Sequence, residues 1–115
     1  MKKVALFAFN GDPMCFVHVL LTALDMQANG VDVKVVIEGS ATKLVNDLNE
    51  ENATFHSLYV QVKDAGLIDC ACKACSAKME ALEGIQAQGL PLCKEMNGHP
   101  SLANYLEQGY QVITF

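Results

Sequence analysis

The sequence predicts a three-layer α/β domain on a five-stranded, mostly parallel sheet, and two observations carry that prediction. Four glycines each close a helical pattern and immediately precede an apolar, strand-like start: Gly30-Val31, Gly66-Leu67, Gly89-Leu90 and Gly109-Tyr110. Glycine just past a helix end takes the left-handed conformation that other residues resist. The apolar run Val4-Ala5-Leu6-Phe7-Ala8-Phe9 stands ahead of the first of these helices, so strand and helix alternate along the whole chain. That rhythm is the signature of a parallel sheet covered on both faces. At 115 residues the chain suits a single domain, residues 1–115, which buries roughly 65% of the surface its unfolded form exposes.

The expected strands are residues 3–9, 31–37, 67–71, 90–92 and 110–115. The first two are apolar on both faces, as central strands are, while Pro91 suits a short, less central one. Asp12 as N-cap and Pro13 at the first helical position open the first helix, and Asn29-Gly30 closes it. Its polar residues His18, Thr22, Asp25 and Asn29 form one narrow stripe, whereas Met14, Phe16, Val17, Val19, Leu20, Leu21, Leu24 and Met26 cover most of the rest. That is more apolar surface than one sheet face of a monomer covers, which points to a subunit interface and a homo-oligomer. Deep burial of this helix under the connecting segment is the other solution.

Two helical stretches follow the second strand, residues 40–48 and 54–65, separated by Asn49-Glu50-Glu51-Asn52. The second buries Phe55, Leu58, Tyr59 and Val62 at helical spacing and leaves His56 off the stripe, in solvent. A further helical pattern starts at a cysteine cluster and closes at Gly89, and a last one spans residues 101–108 with Leu102, Tyr105 and Leu106 inward.

Composition excludes several functions. Eight Lys+Arg against 13 Asp+Glu, a formal charge of −5, leave no electrostatic footprint for nucleic acid or an anionic membrane. No segment reaches the roughly 18 apolar residues of a transmembrane helix, and the short apolar run after Met1-Lys2-Lys3 stops at Asn10-Gly11-Asp12-Pro13 with no cleavage site. Five cysteines, an odd number, without an export signal predict reduced thiols in the cytoplasm.

Chemistry is expected at the carboxyl edge of the sheet, where the strand-to-helix loops of a parallel sheet gather. Cys70-Ala71-Cys72-Lys73-Ala74-Cys75 puts three thiols there as strand gives way to helix. Strand alternation turns Cys70 and Cys72 to one face and Asp69 to the other. Cys70 reads as a small buried hydrophobe. Cys72 is expected to stand exposed at the strand tip, with Cys75 one turn away. The helix start, Lys73 and Lys78 would lower its pKa. Neighbouring loops bring Cys15, Glu38-Gly39-Ser40, Cys93 and His99 to the same edge. Cys15 and His18, one helical turn apart, could be nucleophile and base, though helix geometry alone explains the spacing. Asn10-Gly11-Asp12-Pro13 is explained by a turn and an N-cap, being far from a phosphate-loop signature.

Five strands in this length, an apolar first helix after Asn-Gly-Asp-Pro, and Cys72 six residues after Gly66 resemble the DsrE/DsrF-like proteins. These have a flavodoxin- or Rossmann-like topology and include small subunits of sulfur-relay complexes. The resemblance runs through Gly109-Tyr110-Gln111-Val112-Ile113-Thr114-Phe115. It implies that Cys72 carries sulfane sulfur as a persulfide, and that the chain works as a sulfurtransferase-like carrier between donor and acceptor proteins. It implies assembly as a trimer or hexamer, and no cofactor is expected. Relay members present one working cysteine in this loop, whereas here three cluster, so two other chemistries stay open. Zinc could be held by Cys72, Cys75, His99 and Cys93 in a non-catalytic metal-binding module. Alternatively, Cys72-Lys73-Ala74-Cys75 could be an exchanging dithiol, with Cys75 as the resolving thiol.

Overall fold

Strand and helix alternate through the whole of residues 1–115, all of which the computed structural model describes. In chain order they are β1 (Lys3–Ala8), α1 (Pro13–Ala28), β2 (Asp32–Ile37), a 3-10 turn (Gly39–Ala41), α2 (Thr42–Asn49), α3 (His56–Asp64), β3 (Ile68–Cys72), α4 (Lys73–Lys78), α5 (Leu82–Ala87), β4 (Leu92–Cys93), α6 (Leu102–Glu107) and β5 (Gln111–Thr114). All five strands are parallel, in the order β4-β3-β2-β1-β5. The four helix-closing glycines all take positive φ, from +73° to +88°.

The strand order explains how the helices are distributed. From β1 to β4 each crossover steps in one direction, and right-handed crossovers that step one way lie on one face. The chain then returns past β1 to β5, so α6 alone lies on the opposite face. One core therefore joins Leu6, Val35 and Ile37 of the sheet to Phe16, Val19 and Leu20 of α1, Leu44, Val45 and Leu48 of α2, Tyr59 and Val62 of α3, and Ile85 of α5. The smaller core under α6 holds Ala5, Phe7, Val36, Cys70, Cys93, Tyr105 and Tyr110. Strand order reverses between β1 and β5, two strands away from the thiols of β3.

Several sequence expectations change here. The pattern ending at Gly89 is two helices, broken where Glu80 takes φ +58°. His56 is half-buried rather than solvated, with Nδ1 2.8 Å from the Leu48 carbonyl. In the last helix only Tyr105 is buried, and Leu102 and Leu106 are exposed. In α1, Phe16, Val17, Val19, Leu20 and Ala23 are buried within the chain's own core. Met14 and Leu21 remain exposed, at 57% and 49%.

Strict alternation fails in β3. Val35 pairs with Ile68 and Val36 with Cys70, which leaves Asp69 as the extra residue of a bulge. Asp69 thus reaches the α6 side, where it accepts from the Tyr105 hydroxyl at 2.5 Å, while Cys70 Sγ lies 3.5 Å from that hydroxyl. Lys34 Nζ stands 3.5 Å from Asp69 on the same face.

Candidate functional site

The cysteines of the cluster have different fates. Cys70 is buried as expected, but it is joined to Cys93 in a disulfide that ties edge strand β4 to β3, with Cα atoms 5.5 Å apart. The expectation of five reduced thiols therefore fails. Cys93 is also excluded from the zinc set, because a disulfide sulfur has no thiolate to offer. Cys15, Cys72 and Cys75 are free.

Cys72 ends β3 and serves as N-cap of α4, its Sγ accepting from the Cys75 backbone N–H at 3.3 Å. Its carbonyl accepts from Ser76 Oγ at 2.6 Å, a buried bond that fixes the strand-to-helix corner. Cys75, three residues on, faces the same point from the first turn of α4. The loop after β4 closes over both. Gly98 takes φ +91°, and its carbonyl accepts from the Ala74 N–H at 2.9 Å and from the Cys72 thiol at 3.6 Å. His99 Nδ1 lies 3.1 Å from Cys72 Sγ and 3.6 Å from Cys75 Sγ, so one imidazole nitrogen serves both thiols. From the loop after β2, Glu38 Oε1 comes to 3.9 Å of that nitrogen. The donor atoms of Glu38, Cys72, Cys75 and His99 all lie within 4.8 Å of one another.

Burial sets the electrostatics. Cys72 is not exposed at the strand tip but fully covered, whereas Cys75 and His99 are half-buried. Burial pushes the Cys72 thiol up to about 12 instead of lowering it, and the neighbouring Cys75 thiol and Glu38 carboxylate push the same way. The backbone bond from Cys75 opposes them. Lys73 and Lys78 point into solvent, where their charge is screened, and α4 is a short helix with few aligned dipoles. Burial also raises Glu38 above the usual carboxylate range, while His99 pulls it down.

The other candidates stay apart from this group. Cys15 lies on α1 and is not a member, and His18 is exposed. Asp12 Oδ1 accepts from the Met14 N–H at 2.9 Å and Asn10 Oδ1 from the Asp12 N–H at 2.8 Å, a turn and an N-cap as expected. Glu38, which the sequence places only in an edge loop, joins the thiols and the imidazole here. Its signal was an acidic residue directly after an apolar central strand and before Gly39.

The sequence model of the DsrE/DsrF-like family matches residues 3–115. The chain belongs to that family. An uncharacterized protein of Methanocaldococcus jannaschii is 35% identical over 96 residues, 84% of this chain and 76% of its own length. An uncharacterized protein of Archaeoglobus fulgidus is 44% identical over 41 residues, 36% of this chain and 67% of its own. The solved structure of a conserved protein of unknown function from Bacteroides thetaiotaomicron superposes with a TM-score of 0.72 over 99% of this chain and 95% of that one, at 16% identity. It shares the DsrE/DsrF-like chain's α/β fold.

Proposed function

We propose that this DsrE/DsrF-like protein is a sulfur carrier that holds sulfane sulfur as a persulfide on Cys72, with Cys75 as the neighbouring thiol. The observation that carries the reading is the single imidazole nitrogen of His99 within 3.1 and 3.6 Å of the two sulfurs. A thiol pushed upward by burial needs a nearby proton acceptor before it can attack, and His99 is in place to be that acceptor. The Cys75 N–H then stabilises the thiolate, and the Glu38 carboxylate faces the imidazolium formed.

In the transfer step the Cys72 thiolate attacks the outer sulfur of a donor persulfide. A new S–S bond forms to Cys72, the donor's S–S bond breaks, and the donor sulfur leaves as a thiolate that can take the proton held by His99. No net oxidation occurs. Delivery reverses the roles. The protein works between a donor and an acceptor protein and does not turn over alone.

Gly98 and His99, which contact Cys72, follow an exposed stretch from Lys94 to Asn97, so a docking protein that lifts this loop would uncover the thiol. The reading includes a cytoplasmic location, in which burial of Cys70 and Cys93, 6% and 2% exposed, shields their disulfide from reductants. It also includes a homo-oligomer, trimer or hexamer, joined through exposed Met14 and Leu21 of α1.

The test is cyanolysis of sulfane sulfur after loading with inorganic polysulfide and desalting. About one equivalent of thiocyanate per chain is expected from the wild type and essentially none from Cys72→Ser. A wild type that retains no sulfur, or a Cys72→Ser variant that retains a full equivalent, overturns the proposal.

A further inference from the structure

We propose that Glu38, Cys72, Cys75 and His99 form a four-ligand site for a thiophilic divalent cation, zinc being the ion that the donor set fits. Zinc is bound tetrahedrally by thiolate sulfur, imidazole nitrogen and carboxylate oxygen at about 2.0–2.3 Å, so its ligand atoms stand roughly 3.3–3.8 Å apart. The atoms around His99 Nδ1 lie at 3.1, 3.6 and 3.9 Å from it, and the whole group fits within 4.8 Å. Small side-chain adjustments bring such a set onto one ion.

Glu38 makes the second, independent argument. Its side chain is nine-tenths buried, its carboxylate oxygens keep only a little contact with solvent, and the group facing them is the His99 ring, with Nδ1 at 3.9 Å. A buried carboxylate is costly unless it is paired or bound to a metal. This one is aimed at two sulfurs and a ring nitrogen, an arrangement that a divalent cation would bring into balance. The surrounding bonds suit a metal as well. The Cys75 N–H to Cys72 Sγ bond orients that sulfur and spreads its charge, as outer-shell donors do at metal sites, and Ser76 holds the corner that spaces Cys72 from Cys75.

All four ligands come from three different strand-to-helix connections, so the ion would join the loops after β2, β3 and β4. With two thiolates, one carboxylate and a neutral imidazole, the loaded site carries a net charge of −1. The two thiol protons leave when the ion enters. This inference does not rest on the sulfur-carrier reading, since it stands on the four donor atoms alone, and an ion in the site would occupy the Cys72 sulfur that the carrier loads.

The test titrates the full chain anaerobically with cobalt(II), with Cys72 and Cys75 as free thiols and the Cys70–Cys93 disulfide intact, then displaces it with zinc in competition with a chromophoric chelator. The expected result is one equivalent per chain, with a thiolate-to-cobalt charge-transfer band and d–d bands of tetrahedral intensity. Cys75→Ser should lower the charge-transfer band, and Glu38→Gln, a near-isosteric change that keeps the fold, should weaken binding at least about 10-fold. Cys93→Ser and Cys15→Ser should leave stoichiometry and spectrum unchanged. Absence of a saturable equivalent, an octahedral spectrum without charge transfer, or unaltered affinity in Glu38→Gln overturns the site as drawn. Polysulfide loading of the same preparation separates the two readings: sulfur loading without metal binding removes only this inference, and metal binding without sulfur loading removes only the carrier.

Discussion

Replacing Gly98 with alanine should uncover Cys72. Gly98 takes φ +91°, and a Cβ there would meet the Ala74 Cβ at 3.2 Å. An L-residue in that region of backbone space costs about 1–2 kcal/mol, before the tight contact with Ala74 is counted. The strain falls on the segment whose carbonyl is bonded to the Ala74 N–H and which closes over the thiol. If loop opening limits access, about 2 kcal/mol raises the open fraction, and with it the alkylation rate of Cys72, roughly 30-fold. The assay is iodoacetamide labelling with peptide mass mapping, and half-buried Cys15 serves as internal standard. Gly30→Ala is the matched control. It has similar strain, at φ +79°, no atom within 4 Å of the added Cβ, and a position at the end of α1 outside the loop. Gly98→Ala alone should accelerate Cys72. Equal acceleration in both variants would mean that Cys72 reacts only through global unfolding, and no acceleration in either would mean that the loop is not the cover; in both cases Gly98 does not gate the thiol.

Three further outcomes follow from the same structure. Burial raises all three tyrosines above the usual phenol range, Tyr105 further through Asp69 and Tyr110 through Asp32. A raised folded pKa contributes stability that is fully present below the unfolded value of about 10 and is lost as pH climbs toward the folded one. Phenolate absorbance should therefore rise late and together with alkaline unfolding monitored by circular dichroism, rather than as a separate step. Tyr105→Phe should cost about 1.5–3 kcal/mol, the worth of a hydrogen bond to a charged group, because it removes the donor to Asp69. The loss should appear in chemical denaturation and in hydrogen exchange of α6. Leu21→Glu should convert an oligomer to monomer in sedimentation velocity while the circular dichroism stays unchanged; an assembly that persists would place the interface elsewhere.

Much of the architecture was legible because each signal was local. Helix-closing glycines, the Asp12-Pro13 helix start and the apolar central strands depend on a few adjacent residues, and strands, order of elements and edge loops follow from them. Helix distribution was not legible, since it depends on the sheet order β4-β3-β2-β1-β5, which no single segment encodes. The bulge at Asp69 was hidden for the same reason. Its cause is a pairing with Val35 and Val36 and an attraction to Tyr105 and Lys34, each far away in sequence.

At the site, Cys72, Cys75 and His99 were readable from residue type and edge position. Their electrostatics were not. Burial of Cys72 comes from the loop around Gly98, and it outweighs the helix-start and lysine effects that the local sequence suggests. Cys93, a candidate zinc ligand by its edge position, is instead the disulfide partner of Cys70, because β4 lies beside β3 with Cys93 in register with Cys72. Glu38 was overlooked as a participant, since only the packing of three loops shows its carboxylate buried beside two thiols.

Sulfur carriage on Cys72, served by His99, requires that loading follow both residues. The direct measurement is peptide-resolved mass spectrometry of polysulfide-loaded wild type and His99→Ala protein after alkylation. A mass gain of one sulfur is expected on Cys72 of the wild type, reduced at least about 10-fold in loading rate by His99→Ala, with none on Cys15. Sulfur found mainly on Cys15, or loading of Cys72 that is indifferent to His99, would contradict it.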